Sequence, residues 1–414
     1  MLKRISTDTI AAVKFEPLPQ WCTNVLIHIL TIIDLMELFG ACAIVLVLGK
    51  RYLSLQEGSY AHTDVYSGTG PGSKVLSDKA QRILKEFDYT PPAYCVFEYH
   101  GQLQTYMQFM TRNLTRLCRS YLFPSYSVQY RRELLQLPDG GTVGLDWARK
   151  GNSLENPDLF QTSPVVVLHH GLVGDSQSEY IYHMAWTLLS AGYRVVVLVA
   201  RGCGGLELTS GEIFAGRRTN DVAGAVDRVK QLYPDAKVFW VGFSLGAALT
   251  LQYLAVPHAN TKQLSAMEEG ASTQWSGPLA AAVSVSPPWN MSYKSSFVAY
   301  FWTSLIVAPL KAYYLSHRAY LRKVAPDGVG GVSLWKLLSV GSMSDFDQLL
   351  YSTHTKQDGG KYACVRDYYD DISPVHGAHL IQTPTMVLTA KDDPVCMHQG
   401  APTDSAKIGA GLVV

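Results

Sequence analysis

The stretch that most constrains this chain is Lys237–Leu251, KVFWVGFSLGAALTL. Val238, Phe239, Trp240 and Val241 are β-branched or aromatic and read as a short buried strand, whereas Ala247, Ala248, Leu249, Leu251 and Leu254 recur at helical spacing. Between them stands Gly242-Phe243-Ser244-Leu245-Gly246, a G-x-S-x-G set on a strand-to-helix turn. Such a tight turn strains the backbone of its central residue and leaves no room for β-carbons on either side, which accounts for glycine at 242 and 246. A serine there projects above the sheet edge, and the amide of Leu245 opens a helix N-terminus toward any negative charge developing beside it. The spacing therefore predicts a nucleophilic serine, Ser244.

At 414 residues the chain has room for one large domain and an appendage. Its net charge of +1 supplies no basic surplus for nucleic acid. Seven cysteines lie scattered without C-x-x-C spacing, a pattern of free thiols that makes neither a disulfide framework nor a zinc site. No metal or cofactor is expected. His169 and His170 are adjacent, so their side chains diverge, and no further ligand is spaced to join them.

Residues 1–24 read as a tail. Val25–Leu48 is a 24-residue, mostly apolar stretch, long enough to span a bilayer as one helix. His28, Asp34 and Glu37 weaken that reading, and the alternative is an amphipathic or core helix. The expectation is a single-pass membrane anchor whose orientation the flanking Lys and Arg leave open. Residues 49–125 form a connecting segment in which Ser54–Lys74, rich in Gly, Ser and Tyr, reads as loop. Within it Met107–Leu122 has helical periodicity with Arg112, Arg116 and Arg119 on its polar side, a solvated face or one that lies on a membrane.

From about residue 126 the pattern is that of a folded domain. Glu133–Leu137 and Val143–Trp147 flank Pro138-Asp139-Gly140-Gly141 as a hairpin. Apolar strands at Val165–His169, Tyr193–Ala200, Val238–Val241, Ala280–Ser286 and Thr385–Ala390 then alternate with helices at Tyr180–Ser190 and Asp221–Leu232. That alternation predicts an α/β fold, a mostly parallel central sheet with helices on both faces. In such sheets chemistry gathers at the carboxyl ends of the strands. The loop His169-His170-Gly171-Leu172 follows one strand, and the amide of Leu172 is a second candidate oxyanion donor, with Gly171 allowing close approach and His170 shaping the loop. Lys391-Asp392-Asp393-Pro394 follows another. Asp393 is the candidate acid of a nucleophile–base–acid set, with Asp392 as the second candidate.

The base is a departure. Chain order calls for a histidine one strand beyond the acid, but His398 follows Asp393 by five residues, and His376 and His379 precede it. Gly411–Val414 reads as the opening of that last strand. No residue of this sequence is thus assigned as the catalytic histidine, and the expectation is a sequence that stops short of it.

With these residues assembled, the chain resembles the YheT-like branch of the α/β-hydrolase superfamily, which includes membrane-anchored lipid esterases and yeast medium-chain ethanol acyltransferases. The resemblance covers roughly residues 88–414. It rests on Gly101-Gln102-Leu103-Gln104-Thr105, Leu137 through Gly141, Leu145-Asp146-Trp147, His169 through Leu172, Arg201-Gly202-Cys203-Gly204-Gly205, the elbow, Asp345-Phe346-Asp347, Asp367-Tyr368-Tyr369 and Ala390 through Pro394. It implies a Ser–Asp–His triad and acyl transfer from a lipid ester to water, or to an alcohol, through an acyl-enzyme on Ser244. Residues 287–340, with many aromatic and apolar side chains, are expected to form a helical lid, or else an ordinary packed insertion. The competing class is a non-catalytic protein that keeps the fold without its base.

Overall fold

The computed structural model describes residues 63–69, 71–86, 128–151, 159–255, 278–292, 297–350, 354 and 361–414. Val25–Leu48 and Met107–Leu122 lie outside these, as does the Gly101–Thr105 motif. Among the described residues no helix is long and apolar enough to cross a membrane.

An eight-stranded sheet organises the molecule, in the order β1-β2-β4-β3-β5-β6-β7-β8. Its strands are β1 (Val128–Gln136), β2 (Thr142–Lys150), β3 (Val165–His169), β4 (Arg194–Val199), β5 (Val238–Phe243), β6 (Ala281–Val285), β7 (Thr385–Leu388) and β8 (Leu412–Val413). β2 is antiparallel to both its neighbours, and every pair from β4 to β8 is parallel. Continuous runs of Val in β3 and β4 suit strands covered on both faces, and Val165 through Leu168 and Val195 through Val199 are buried. β8 occupies the place that Gly411–Val414 predicted.

The covering helices follow from their apolar spacing. α2 (Glu179–Ser190) packs on β3 and β4, and α3 (Thr219–Leu232) buries Val222, Ala225, Val226 and Val229, one stripe at helical period. α4 (Leu245–Ala255) is buried nearly all round, which explains why it is mostly Gly, Ala, Leu and Thr with no charge along it. The mostly parallel α/β architecture read from the sequence is therefore the one observed.

Two readings need correction. Pro71–Lys74 is not loop but the first turn of α1 (Pro71–Glu86), where proline's fixed φ and missing N–H suit a helix start. The segment before α1 joins the sheet: Tyr66 and Val414 exchange two backbone hydrogen bonds of 2.8 Å. β1, in turn, begins at Val128, earlier than the alternation of residues 133–137 suggested, because its register with β2 continues to the pair Val128 and Lys150.

Between β6 and β7 run α5 (Phe297–Val324), α6 (Leu334–Ser339), α7 (Met343–Leu350) and α8 (Val365–Ile372). α7 and α8 are joined where the Tyr369 hydroxyl donates to Asp347 Oδ2 at 2.7 Å, so Asp345–Asp347 and Asp367–Tyr369 meet in space. Arg201 similarly unites three distant stretches. Its buried guanidinium donates twice to Asp221 (2.8 and 2.7 Å) and pairs with Asp139 of the β1–β2 turn at 2.7 Å. A Cβ on Gly141 of that turn would lie 2.1 Å from Arg201 Nη1, so glycine there is a packing requirement.

Candidate active site

Register decides where the site can be. His169 of β3 pairs with Gly242 of β5, and Gly242 pairs with Ser284 of β6, so three parallel strands end abreast. Ser244 is the single residue between β5 and α4 and takes φ +51°. For a residue with a side chain that is a strained conformation. It is held from both sides. The Ser244 amide donates to Val285 O at 2.9 Å and its carbonyl accepts from the Ala248 amide at 3.0 Å. Packing leaves no alternative path for the backbone, because a Cβ on Gly242 would lie 2.6 Å from Gly246 O and one on Gly246 would lie 2.5 Å from His170 O.

The loop after β3 comes down against the serine, where a Cβ on Gly171 would sit 3.0 Å from that of Ser244. The Gly171 amide is already engaged, donating to the Tyr180 hydroxyl at 2.9 Å. The Leu172 amide has no partner among the described residues. Leu245 opens α4, where an amide has no acceptor within its own helix. These are the two donors nominated from sequence.

His170 can be assigned a tautomer by elimination. The Ala200 amide can only donate, so His170 Nε2, 3.0 Å away, is the acceptor. Nδ1 then carries the proton and donates to Gly171 O at 2.6 Å. Burial holds its pKa down, so the ring is neutral and ties the end of β4 to the loop after β3. His169 is likewise buried and neutral, wedged between the rings of Phe214 and Trp240. Among the described residues no three His, Cys, Asp or Glu side chains converge as metal ligands do.

The loop after β7 brings Asp393 inward and leaves Asp392 exposed. Asp393 Oδ1 accepts the amides of Val395 and Cys396, both at 2.8 Å. Burial raises its carboxyl above the ordinary range, while hydrogen bonds from those amides and the Ser286 hydroxyl oppose the rise. Cys396 Sγ lies 3.9 Å from Ser244 Oγ, so the acid's loop directly abuts the serine. Its thiol is pushed up by burial and stays protonated at neutral pH. No histidine bonds to Ser244 or Asp393 among the described residues. His376, His379 and His398 sit in short 3-10 turns, the first two between α8 and β7 and the third after the acid loop.

Sequence reasoning missed Ser286 and Cys396. Ser286 directly follows β6, beside the elbow strand, with φ +49° and its amide donating 2.7 Å to Leu388 O. A usable signal was its position: it is the first residue past a parallel strand and precedes Pro287, where a left-handed φ is unusual. Nothing in the local sequence marks Cys396 as a neighbour of Ser244.

Comparisons with known proteins agree with this fold. A family model described as alpha/beta hydrolase fold matches residues 164–300. The mouse protein named phospholipase ABHD3 is 29% identical over 341 residues, 81% of this chain and 72% of its own length. Medium-chain fatty acid ethyl ester synthase/esterase 2 of Saccharomyces cerevisiae is 28% identical, over 67% of this chain and 63% of its own. The putative esterase YheT of Escherichia coli is 30% identical over 268 residues, 65% of this chain and 71% of its own. By motif, by sheet and by these relatives, the chain belongs to the YheT-like branch of the α/β-hydrolase superfamily.

Proposed function

We propose that this protein acts on carboxylic esters of lipids, such as acylglycerols or phospholipids, through an acyl-enzyme on Ser244. The observation that carries the reading is the strained Ser244 at the start of α4, packed against the loops of Gly171 and Asp393. Ser244 Oγ attacks the ester carbonyl and passes its proton to an imidazole. The carbonyl oxygen becomes an oxyanion facing the two amides, and the alcohol leaves with the proton from the imidazolium. Water then adds to the acyl-enzyme and releases the acid, while an alcohol in its place yields a new ester. Asp393 steadies the imidazolium charge.

The lipid class is supported by the phospholipase and ethyl-ester relatives. A membrane anchor at Val25–Leu48 is part of the same proposal. The second reading, a non-catalytic member of the fold, rests on the thiol of Cys396, and among the described residues no imidazole, standing beside Ser244.

One experiment separates the two. The purified chain is treated with a serine-directed fluorophosphonate, with and without free imidazole in solution. The esterase reading expects slow labelling that imidazole accelerates and that Ser244→Ala abolishes. Labelling that ignores both imidazole and the Ser244→Ala change would establish the non-catalytic reading.

A further inference from the structure

The charge of this chain is unevenly placed. Residues 297–340 carry Lys311, Arg318, Arg322, Lys323 and Lys336 against one carboxylate, Asp327, a net +4 in a chain whose total is +1. Two contacts bring the chain back after α5. Gly330 packs so closely on Leu321 that a Cβ would lie 2.1 Å from its carbonyl oxygen, which turns the chain back at the end of α5. Lys311 then donates to Leu338 O at 3.1 Å, holding α6 alongside α5.

Arg322, Lys323 and Val324 are exposed on the last turn of α5, and Lys336 is exposed on α6. Among the described residues none of Arg318, Arg322, Lys323 and Lys336 forms an ion pair with a carboxylate. Arg318 and Arg322 stand one helical turn apart, a like-charge pair that is unfavourable unless an anion lies against it. Arg318 Nε is shielded from solvent and has no hydrogen bond, and its neighbour Arg322 lowers its pKa further after burial has done so. Beside Lys336 stands Trp335, 81% exposed, with Val324 41% exposed. An exposed indole next to Lys336, on a segment that carries further cations without carboxylate partners, suits the interface of a membrane, where the ring enters the headgroup layer and the cations meet lipid phosphates.

We infer that the corner formed by the end of α5 and by α6 docks onto an anionic lipid surface. The same helix, α5, also reaches the sheet. Tyr313 of α5 donates to Arg201 O at 2.9 Å and His317 bonds Gly202 O at 2.8 Å, both just past β4 at the carboxyl edge of the sheet. The inference stands on charge and exposure and does not depend on catalysis at Ser244.

The test uses the full chain with vesicles of phosphatidylcholine alone or mixed with phosphatidylserine. The emission of Trp335 is isolated as the difference between the parent and Trp335→Ala. It should shift to the blue with phosphatidylserine vesicles, lose the shift in high salt, and shift little with phosphatidylcholine alone. Arg322→Glu combined with Lys323→Glu should weaken the phosphatidylserine-dependent part of binding by roughly tenfold or more. Ser244→Ala should leave all of this unchanged, which separates this surface from the ester chemistry. An unshifted Trp335, an equal shift on neutral vesicles, or full binding by the double charge reversal would overturn the inference. So would tighter binding to an anionic protein or nucleic acid than to these vesicles.

Discussion

The elbow and the acid loop meet 3.9 Å apart but are held by different physics. At the elbow the constraint is steric. A Cβ on Gly242 or Gly246 would collide with neighbouring backbone, which holds Ser244 to its path even at φ +51°. At Asp393 the constraint is a set of hydrogen bonds from Val395, Cys396 and Ser286, on a loop whose outer end carries an exposed ion pair between Lys391 and Asp64. Packing of the first kind is tied to stability. Hydrogen bonding of the second kind sets the charge and direction of a carboxylate, so the two regions should respond differently to substitution.

The largest effect is expected at the elbow. Gly246→Ala forces a Cβ to within 2.5 Å of His170 O. It should lower unfolding free energy by about 3 kcal/mol in a denaturant titration, and remove labelling of Ser244 at the same time. A variant of unchanged stability would show that the elbow yields as readily as a loop.

Asp393→Asn should do the reverse. It should cut imidazole-accelerated labelling by roughly a hundredfold or more, as loss of a triad carboxylate does elsewhere, while stability at neutral pH stays level or rises. The sign follows from linkage. A carboxyl whose folded pKa is raised binds more protons folded than unfolded between the two values, so its contribution falls as pH rises through that window. Removing the charge removes that fall. Denaturation of parent and variant across acidic to neutral pH would measure it, and matching slopes would refute the assignment.

Ser286→Ala is the intermediate case. It deletes one hydrogen bond to the carboxylate, worth about 1 kcal/mol. The acid limb of imidazole-accelerated labelling should move to higher pH, because less opposes the upward push of burial. A simple loss of rate with an unmoved limb would make Ser286 a packing residue only. Smallest of all, Lys391→Ala breaks a pair whose side chains are 55% and 51% exposed. Its effect on stability should stay within about 0.5 kcal/mol in the same titration.

The difference between the regions also explains what could be read beforehand. Ser244 was legible because every requirement of the elbow is local: a strand, two glycines and a helix within fifteen consecutive residues. His170 and Leu172 were legible for the same reason, as a loop directly after an apolar strand. Asp393 was readable as a carboxylate at a strand end, and the choice against Asp392 agrees with which of the two the fold turns inward. Pro71–Lys74 was misread because glycine and serine content outweighed the cue of a proline at a helix start. The meetings of Arg201 with Asp139 and Asp221, and of Tyr369 with Asp347, had no local signal at all.

By itself, then, the amino-acid order determined the alternation of strand and helix, the strained serine and the residues at the strand ends, because periodicity and chain stiffness act over a few residues. Only the tertiary structure decided that β3 lies between β4 and β5, that Ser286 donates to Asp393, and that Cys396 abuts Ser244. Those outcomes depend on which surfaces bury each other. That is a property of the whole core, where residues a hundred positions apart compete for the same contacts.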